Sequence, residues 1–250
     1  MKCLILAAGY ATRLYPLTEN FPKPLLPVQG KPILDWLTDD IASCGVDEFT
    51  VVSNHKFAAQ FESWAAGRMG FNPDCQLKIR VVDDGTSTNE TRLGAVRDIA
   101  LGAAESGIDD DWLVIAGDNL LDFSFRGFID FFKSRRAPCV MTHEENRPEK
   151  QRKTGIITFA PDGRITSYEE KPAEPKGNHA VPPFYIYRAE DIGRIPEALE
   201  AGCGYDAPGS FAAWLSGRTD VYAYEMPGKR YDIGDAASYR AVQENYPGIP

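Results

Sequence analysis

Three charged residues and one glycine loop open the chemistry that can be read from this chain. The segment Leu6-Ala-Ala8-Gly9-Tyr-Ala-Thr12-Arg13-Leu-Tyr-Pro-Leu-Thr18 is followed by Pro22-Lys23-Pro24-Leu-Leu-Pro27-Val28. Small residues and glycine at the end of an apolar run let a ligand approach the backbone closely. Thr12 and the neighbouring N–H groups suit phosphate oxygens. Arg13 offers a planar fork for a polyphosphate, and Lys23 a movable positive charge. Further on, Ile115-Ala116-Gly117-Asp118-Asn119 puts a carboxylate just past a second apolar run, where it can hold Mg²⁺ bound to phosphates. Phosphoryl chemistry needs such groups, because charge at the transferring phosphorus must be held and oriented. Each fragment alone has a plainer reading. The loop serves equally as a glycine turn with two solvated cations, and Asp118 as the cap of the next turn.

These residues have to be carried by regular elements. Lys2–Ala7, Glu48–Ser53, Leu77–Val82, Trp112–Ala116 and Pro138–Thr142 read as strands. They alternate with helical patterns at Pro32–Ser43, Lys56–Ala66, Leu93–Glu105 and from Ser124 to about Arg135. Strict alternation predicts right-handed crossovers and a mostly parallel sheet. After residue 143 the pattern changes. Asp162-Gly163 between Gly155–Phe159 and Arg164–Tyr168 predicts a hairpin. Phe184–Tyr187 and Val221–Tyr224 read as strands, and Ala189–Leu199, Ser210–Leu215 and Ala236–Glu244 as helices. Glu144–Lys153 and Pro172–Pro183 read as mobile loops near a site. The Phe123–Phe132 aromatics have helical spacing and belong to a core.

In its combined length the first motif resembles the signature of the sugar-phosphate nucleotidyltransferases, L-A-[AG]-G-x-G-T-R-L-x-P-L-T followed by P-K-P-[LM]-[LV]-P-[VI]. Ala11 stands where that family has glycine, which narrows the backbone angles if φ must be positive there. Ile115–Asn119 resembles the family's metal motif and gives Asp118 a metal-binding role. Tyr231-Asp232-Ile233-Gly234-Asp235 is similar to its second metal stretch and implies the same role for Asp232. Asp235 is the better placed as the cap of the last helix. Glu169-Glu170-Lys171-Pro172 resembles the E-K-P motif, which implies sugar hydroxyls on Glu170 and the acceptor phosphate on Lys171. Phe184-Tyr185-Ile186-Tyr187 resembles the strand beside the sugar pocket, which makes Tyr185 an acceptor-binding candidate.

In the family, the segment matching Asp83–Gly94 reads the base and ribose. This chain lacks the Q-P-x-G-[LT]-A-like sequence usual there. Gly85 and Gly94 would permit close approach of the base and Asn89 would pair with its edge; a capped loop entering a helix is an equal reading. Asp206–Phe211 reads either as a helix start or as a lid on the acceptor pocket.

The resemblance implies a three-layer α/β/α sandwich with a mixed, mostly parallel sheet and a small acceptor-binding lobe. All 250 residues would form one domain, residues 1–143 mainly binding nucleotide and 144–250 mainly acceptor. The implied reaction passes a nucleoside monophosphate from a triphosphate to a sugar 1-phosphate with Mg²⁺, releasing pyrophosphate. Arg13 and Lys23 would carry the catalysis, Leu6, Ala8, Gly9 and Thr12 the nucleotide. Phosphocholine or a phosphonate with CTP stays open as acceptor, with Tyr185 and Tyr187 as walls for a cation. A nucleotide-sensing relative without activity stays open as well. A glycosyltransferase would usually carry Asp-x-Asp, whereas Asp118 is followed by Asn119 and Leu120.

Composition sets outer limits. A net charge of −9 argues against a general nucleic-acid partner. The five scattered cysteines form no CxxC pair and suit a reducing cytoplasm. No apolar run approaches membrane-spanning length, and self-association into a homo-oligomer is left open.

Overall fold

The computed structural model of the chain describes residues 1–70 and 77–250. The strands are β1 (Lys2–Leu6), β2 (Pro27–Val28), β3 (Lys31–Pro32), β4 (Glu48–Ser53), β5 (Lys78–Asp83), β6 (Trp112–Ala116), β7 (Asn119–Leu121), β8 (Cys139–Glu144), β9 (Gly155–Phe159), β10 (Ile165–Glu170), β11 (His179–Val181), β12 (Phe184–Tyr187), β13 (Tyr222–Glu225) and β14 (Arg230–Asp232). The helices are α1 (Ile33–Ser43), α2 (Ala58–Gly70), α3 (Ala95–Ser106), α4 (Arg126–Arg135), α5 (Pro148–Gln151), α6 (Ala189–Ile192), α7 (Ile195–Glu200), α8 (Gly209–Ser216) and α9 (Ala236–Asn245). The fold class is the expected α/β one, a mixed sheet with helices around it. The chain divides into two compact units, each discontinuous in sequence.

The first unit comprises Lys2–Arg92, Ala116–Arg126 and Pro227–Pro250. Its sheet runs β1-β4-β5, all parallel, with Leu6 opposite Val52 and Ser53 opposite Asp83. Cys3–Ile5 and Val51–Val52 are completely buried. An unbroken apolar run is what a parallel strand covered on both faces requires. Helix α1 buries Ile33, Leu34, Leu37 and Ile41, one face of a 3.6-residue period. Two short ribbons, β2 with β3 and β14 with β7, complete the unit. A second core of Leu14, Leu26, Val28, Ile33, Leu120, Ile233, Val242 and Tyr246 ties the glycine-loop segment to β7, β14 and α9. Asp235 caps α9 with a full capping box, its carboxylate accepting from the Ser238 N–H at 2.8 Å, as the sequence suggested.

The second unit comprises Met1, Leu93–Ile115 and Gly127–Met226. Its strand order is β10-β9-β11-β8-β12-β6 with antiparallel neighbours, and β13 joins β8 in parallel. Gly163 turns the predicted β9–β10 hairpin at φ +86°. Three expectations need correction here. Pro172–Pro183 is not wholly a loop, because His179–Val181 pairs with β8 on one side and β9 on the other. Three residues are too few to show alternation, so this strand exists through its partners. Ala189–Leu199 is two helices, α6 and α7, interrupted at Gly193 and Arg194. Glu144–Lys153 contains the turn of α5, started by Pro148 and fastened by the Glu145 carboxylate, which accepts from Arg147 at 2.7 Å.

Among the described residues no helix is long and apolar enough to cross a membrane.

Candidate active site

The glycine loop leaves the carboxyl end of β1, where ligands sit in open α/β sheets. Its base is rigid. The Leu6 carbonyl accepts from the Gly117 N–H at 3.0 Å, and the Ala8 carbonyl from Asn54 Nδ2 at 2.9 Å. Asn54 is fully buried, and its Oδ1 accepts from the Phe57 N–H, so one side chain fixes both the loop and the entry to α2. No motif singles out Asn54, because only its position just past β4 makes it useful.

The outer part of the loop is open. Gly9 is exposed with no atom within 4 Å of where a side chain would start. Thr12 and Arg13 are exposed and lie on a short 3₁₀ turn. Arg13 Nη1 lies 3.9 Å from the point where a side chain at Gly234 would begin, an ordinary contact distance. Ala11 is left-handed at φ 46°, ψ 41°. Its carbonyl accepts from the Leu14 N–H at 2.9 Å and from the buried Thr18 hydroxyl at 2.8 Å. The family's glycine is thus replaced by alanine at a position whose backbone favours glycine.

Lys23 is buried, and its Nζ donates to Asp118 Oδ2 at 2.6 Å. Asp118 Oδ1 accepts from Asn119 Nδ2 at 2.8 Å, and Asn119 Oδ1 accepts from Arg230 Nη1 at 2.5 Å. Arg230 also lies 4.0 Å from Asp232 Oδ1. Burial works to raise the Asp118 pKa. The charge and hydrogen bond of Lys23, with help from Arg230, outweigh it and hold the carboxyl below its ordinary range. Pairing of β14 with β7 places Asp232 opposite Asn119, the residue next to Asp118, although 113 positions separate the paired residues in the chain. Among the described residues no cluster of three or more His, Cys, Asp or Glu forms a metal site. Two carboxylates beside a phosphate loop nevertheless fit Mg²⁺, which takes one or two carboxylates and fills its octahedron with phosphate oxygens and water. Arg230 and Asn119 link the two aspartates, and nothing in their spacing pointed to that.

The loop after β5 is folded on itself. Asp83 accepts from His55 Nδ1 at 2.6 Å and from the Gly85 N–H at 2.8 Å. Asp84 accepts from the Thr86 N–H and hydroxyl at 2.7 and 2.8 Å. Gly85 has positive φ and open space beside it, and Asn89 is exposed. Gly94 belongs to the second unit and has a structural occupation. A side chain there would meet Tyr205 Cδ2 at 2.6 Å and the Tyr205 carbonyl at 2.8 Å, so packing is one reason for this glycine.

In the second unit, Glu170 and Lys171 close β10. Burial raises the Glu170 carboxyl to about 7, Lys171 offsetting it only in part. Lys171 is left-handed at φ 48° immediately before Pro172, a disfavoured backbone for a residue preceding proline. Its N–H donates to the Thr154 carbonyl at 3.1 Å, and its Nζ lies 3.9 Å from Asp206 Oδ2. Tyr185 is only 2% exposed and stacks on Tyr187, which is wholly buried, at 5.9 Å between centroids. These rings form a core beneath Glu170 and do not line an open cage, which removes the walls expected for a quaternary ammonium.

The nucleotidyl transferase family model matches residues 2–247. This chain belongs to the nucleotidyl transferase family. It is 27% identical over 250 residues to a UTP–glucose-1-phosphate uridylyltransferase of Synechocystis, covering 96% of this chain and 61% of that protein. It is 30% identical over 264 residues to a glucose-1-phosphate thymidylyltransferase of Actinoplanes, covering 98% and 80%. It therefore spans less than two thirds of the length of the first of these relatives. A crystal structure of UDP-glucose pyrophosphorylase complexed with UDP-glucose superposes with a TM-score of 0.81 at 23% identity, over 98% of this chain and 97% of the other.

Proposed function

We propose that the protein transfers a nucleoside monophosphate from a nucleoside triphosphate to a sugar 1-phosphate, forming a nucleotide sugar and releasing pyrophosphate. The observation that carries this reading is the Lys23–Asp118–Asn119–Arg230 chain, with Asp232 held beside it, next to the open loop at Gly9–Arg13. The sugar 1-phosphate acceptor is favoured by the relatives named above and by the absence of an open aromatic cage at Tyr185 and Tyr187.

In this mechanism the acceptor's phosphate oxygen attacks the α-phosphorus in line, and the bond to the β-phosphate oxygen breaks. The attacking phosphate is already ionised, so no general base is required. Backbone N–H groups of Gly9–Thr12 and the Arg13 guanidinium hold the triphosphate. Asp118 and Asp232 would hold Mg²⁺, whose contribution when bound is to neutralise phosphate charge and polarise the reacting centre. Lys23 is held by Asp118 in the free protein. Phosphate oxygens compete for its ammonium once a triphosphate enters. Lys171 orients the acceptor phosphate, and Glu170 bonds its hydroxyls. Positioning and charge neutralisation thereby supply most of the rate.

The test is pyrophosphate release with Mg²⁺, crossing ATP, CTP, GTP, UTP and dTTP against a panel of sugar 1-phosphates, with phosphocholine and a phosphonate as rival acceptors. Release that depends on one sugar 1-phosphate is the expected result and names both substrates. Release with phosphocholine alone, or triphosphate binding without turnover on any acceptor, overturns the proposal.

A further inference from the structure

The acceptor-side carboxyl is seated by two glycines. Gly155 lies in β9 directly opposite Glu170, and Gly209 is the first residue of α8. A side chain begun at Gly155 would meet Glu170 Oε2 at 2.9 Å, the Tyr168 hydroxyl at 2.7 Å and Tyr168 Cε1 at 2.8 Å. One begun at Gly209 would overlap Glu170 Oε2 and meet Glu170 Cδ at 3.0 Å and the Tyr168 hydroxyl at 2.7 Å. Two backbone segments remote in sequence thus press on the same two polar groups. Neither glycine has a positive φ, so backbone freedom does not explain them. A glycine inside a strand or helix weakens the element unless something approaches closely. Here that something is the Glu170 carboxyl.

The groups that face this niche come from several elements. Tyr168 lies on β10, and Lys171, just past its end, offsets the burial of the carboxyl in part. From β12, Tyr185 and Tyr187 face it; ahead of α8, Asp206 lies 3.9 Å from Lys171. All three tyrosines are lifted above their ordinary range by burial, so they face the carboxyl as neutral phenols, which neither repel nor neutralise a carboxylate charge.

We infer that Gly155 and Gly209 are positioning residues that hold the Glu170 carboxyl in a desolvated niche, where it meets the acceptor's hydroxyls as a proton-bearing, hydrogen-bond-donating group. The inference rests on the acceptor role proposed for Glu170. A carboxylic acid donates one hydrogen bond and accepts others, whereas a carboxylate only accepts. Acceptor affinity then falls as pH rises through neutrality, with no matching change for the triphosphate.

The test uses Gly209→Ala and Glu170→Gln in the full chain. Alanine is the better helix former, so a purely structural Gly209 predicts an unchanged or higher Tm and unchanged kinetics. The niche predicts that the variant pushes the carboxyl toward water. Its ¹³C carboxyl titration, assigned by its loss in Glu170→Gln, should move from a midpoint of about 7 toward the ordinary 4.5. Acceptor KM should rise about tenfold at pH 6, the size of one lost hydrogen bond to a charged or strongly polar group, while triphosphate KM holds. Glu170→Gln, neutral at every pH, should remove the part of the pH dependence of acceptor KM that follows the carboxyl, leaving that of the acceptor's own phosphate, whose second ionisation lies at about pH 6. Because the titration needs no turnover, it tests the niche even if the reaction proposed above is wrong. An unshifted midpoint in folded Gly209→Ala overturns the inference. So does a wild-type midpoint near 4.5, or a pH profile of acceptor KM that is the same in Glu170→Gln as in wild type.

Discussion

Two carboxylates, Asp118 and Glu170, sit in opposite electrical settings. Asp118 has a lysine ammonium at 2.6 Å, an amide donor at 2.8 Å and an arginine beyond it. Glu170 has three neutral phenols, two glycines and one lysine that counters its burial only in part. The first is held ionised and the second is driven toward its neutral form. The difference matches what each would meet: fixed charge suits a polyphosphate, whereas a desolvated acid suits hydroxyl groups, which gain from single well-placed hydrogen bonds. A family motif names both residues but says nothing of this contrast, which is created by partners elsewhere in the chain.

The strongest way to break the comparison is at Asp118. Asp118→Asn removes the ionised carboxylate yet keeps an oxygen for Lys23. The expected result is a fall in kcat of roughly 10³-fold, the scale of losing a key electrostatic group from a transition state, with an unchanged circular dichroism spectrum. Pyrophosphate release in Mg²⁺ at a near-normal rate would end the metal assignment. Lys23→Gln should cost less, about 10²-fold in kcat, because Arg13 remains. If it lost binding of the triphosphate and left kcat alone, Lys23 would be an anchor and not a stabiliser of the reacting phosphates.

Opposite settings also mean opposite pH behaviour. Asp118 is depressed in the fold, so its contribution to stability is present above the ordinary carboxylate range and is lost as pH falls. Glu170 is raised from 4.5 to about 7. Between those values the folded chain keeps a proton that the unfolded chain has released. Stability therefore falls as pH rises through that window and levels off above it. The full shift corresponds to at most about 3 kcal/mol. Urea titrations of wild type and Glu170→Gln at pH 5 and pH 8 check the sign. The substitution should flatten the decline, and a wild type that gains stability across this interval relative to the variant would contradict it.

Much of this was legible in the sequence because it rests on local rules. The parallel strands β1 and β4 announce themselves as apolar runs, the β9–β10 turn as Asp-Gly, and the cap of α9 as Asp235 ahead of Ser238. The glycine loop and the two aspartates stood out as motifs, and the roles those motifs suggest are the ones proposed above. What escaped was non-local. β11 is a strand only because β8 and β9 flank it. Asn54 matters because it reaches the Ala8 carbonyl, 46 residues earlier. Gly155 and Gly209 become meaningful only when β10 brings one carboxyl to both. The close contact of Gly94 with Tyr205 was equally invisible, because 111 positions separate them.

Ala11 gives the finest test of how much the loop depends on a local rule. A left-handed conformation costs an alanine roughly 1 kcal/mol that glycine avoids, while glycine adds flexibility to the unfolded chain worth somewhat less. Ala11→Gly should therefore be neutral to stabilising, with Tm rising by about 2 °C at most for a chain of this size. Two hydrogen bonds already hold the Ala11 carbonyl, from Leu14 and Thr18, and glycine keeps both. Triphosphate affinity should then change less than twofold, and isothermal titration would show it. A large loss of affinity would mean that the Ala11 methyl group itself contacts the nucleotide. In that case the substitution would be a feature of the substrate this chain selects and not a tolerated strain, and the loop would take part of its specificity from a methyl group at a position where the family motif has none.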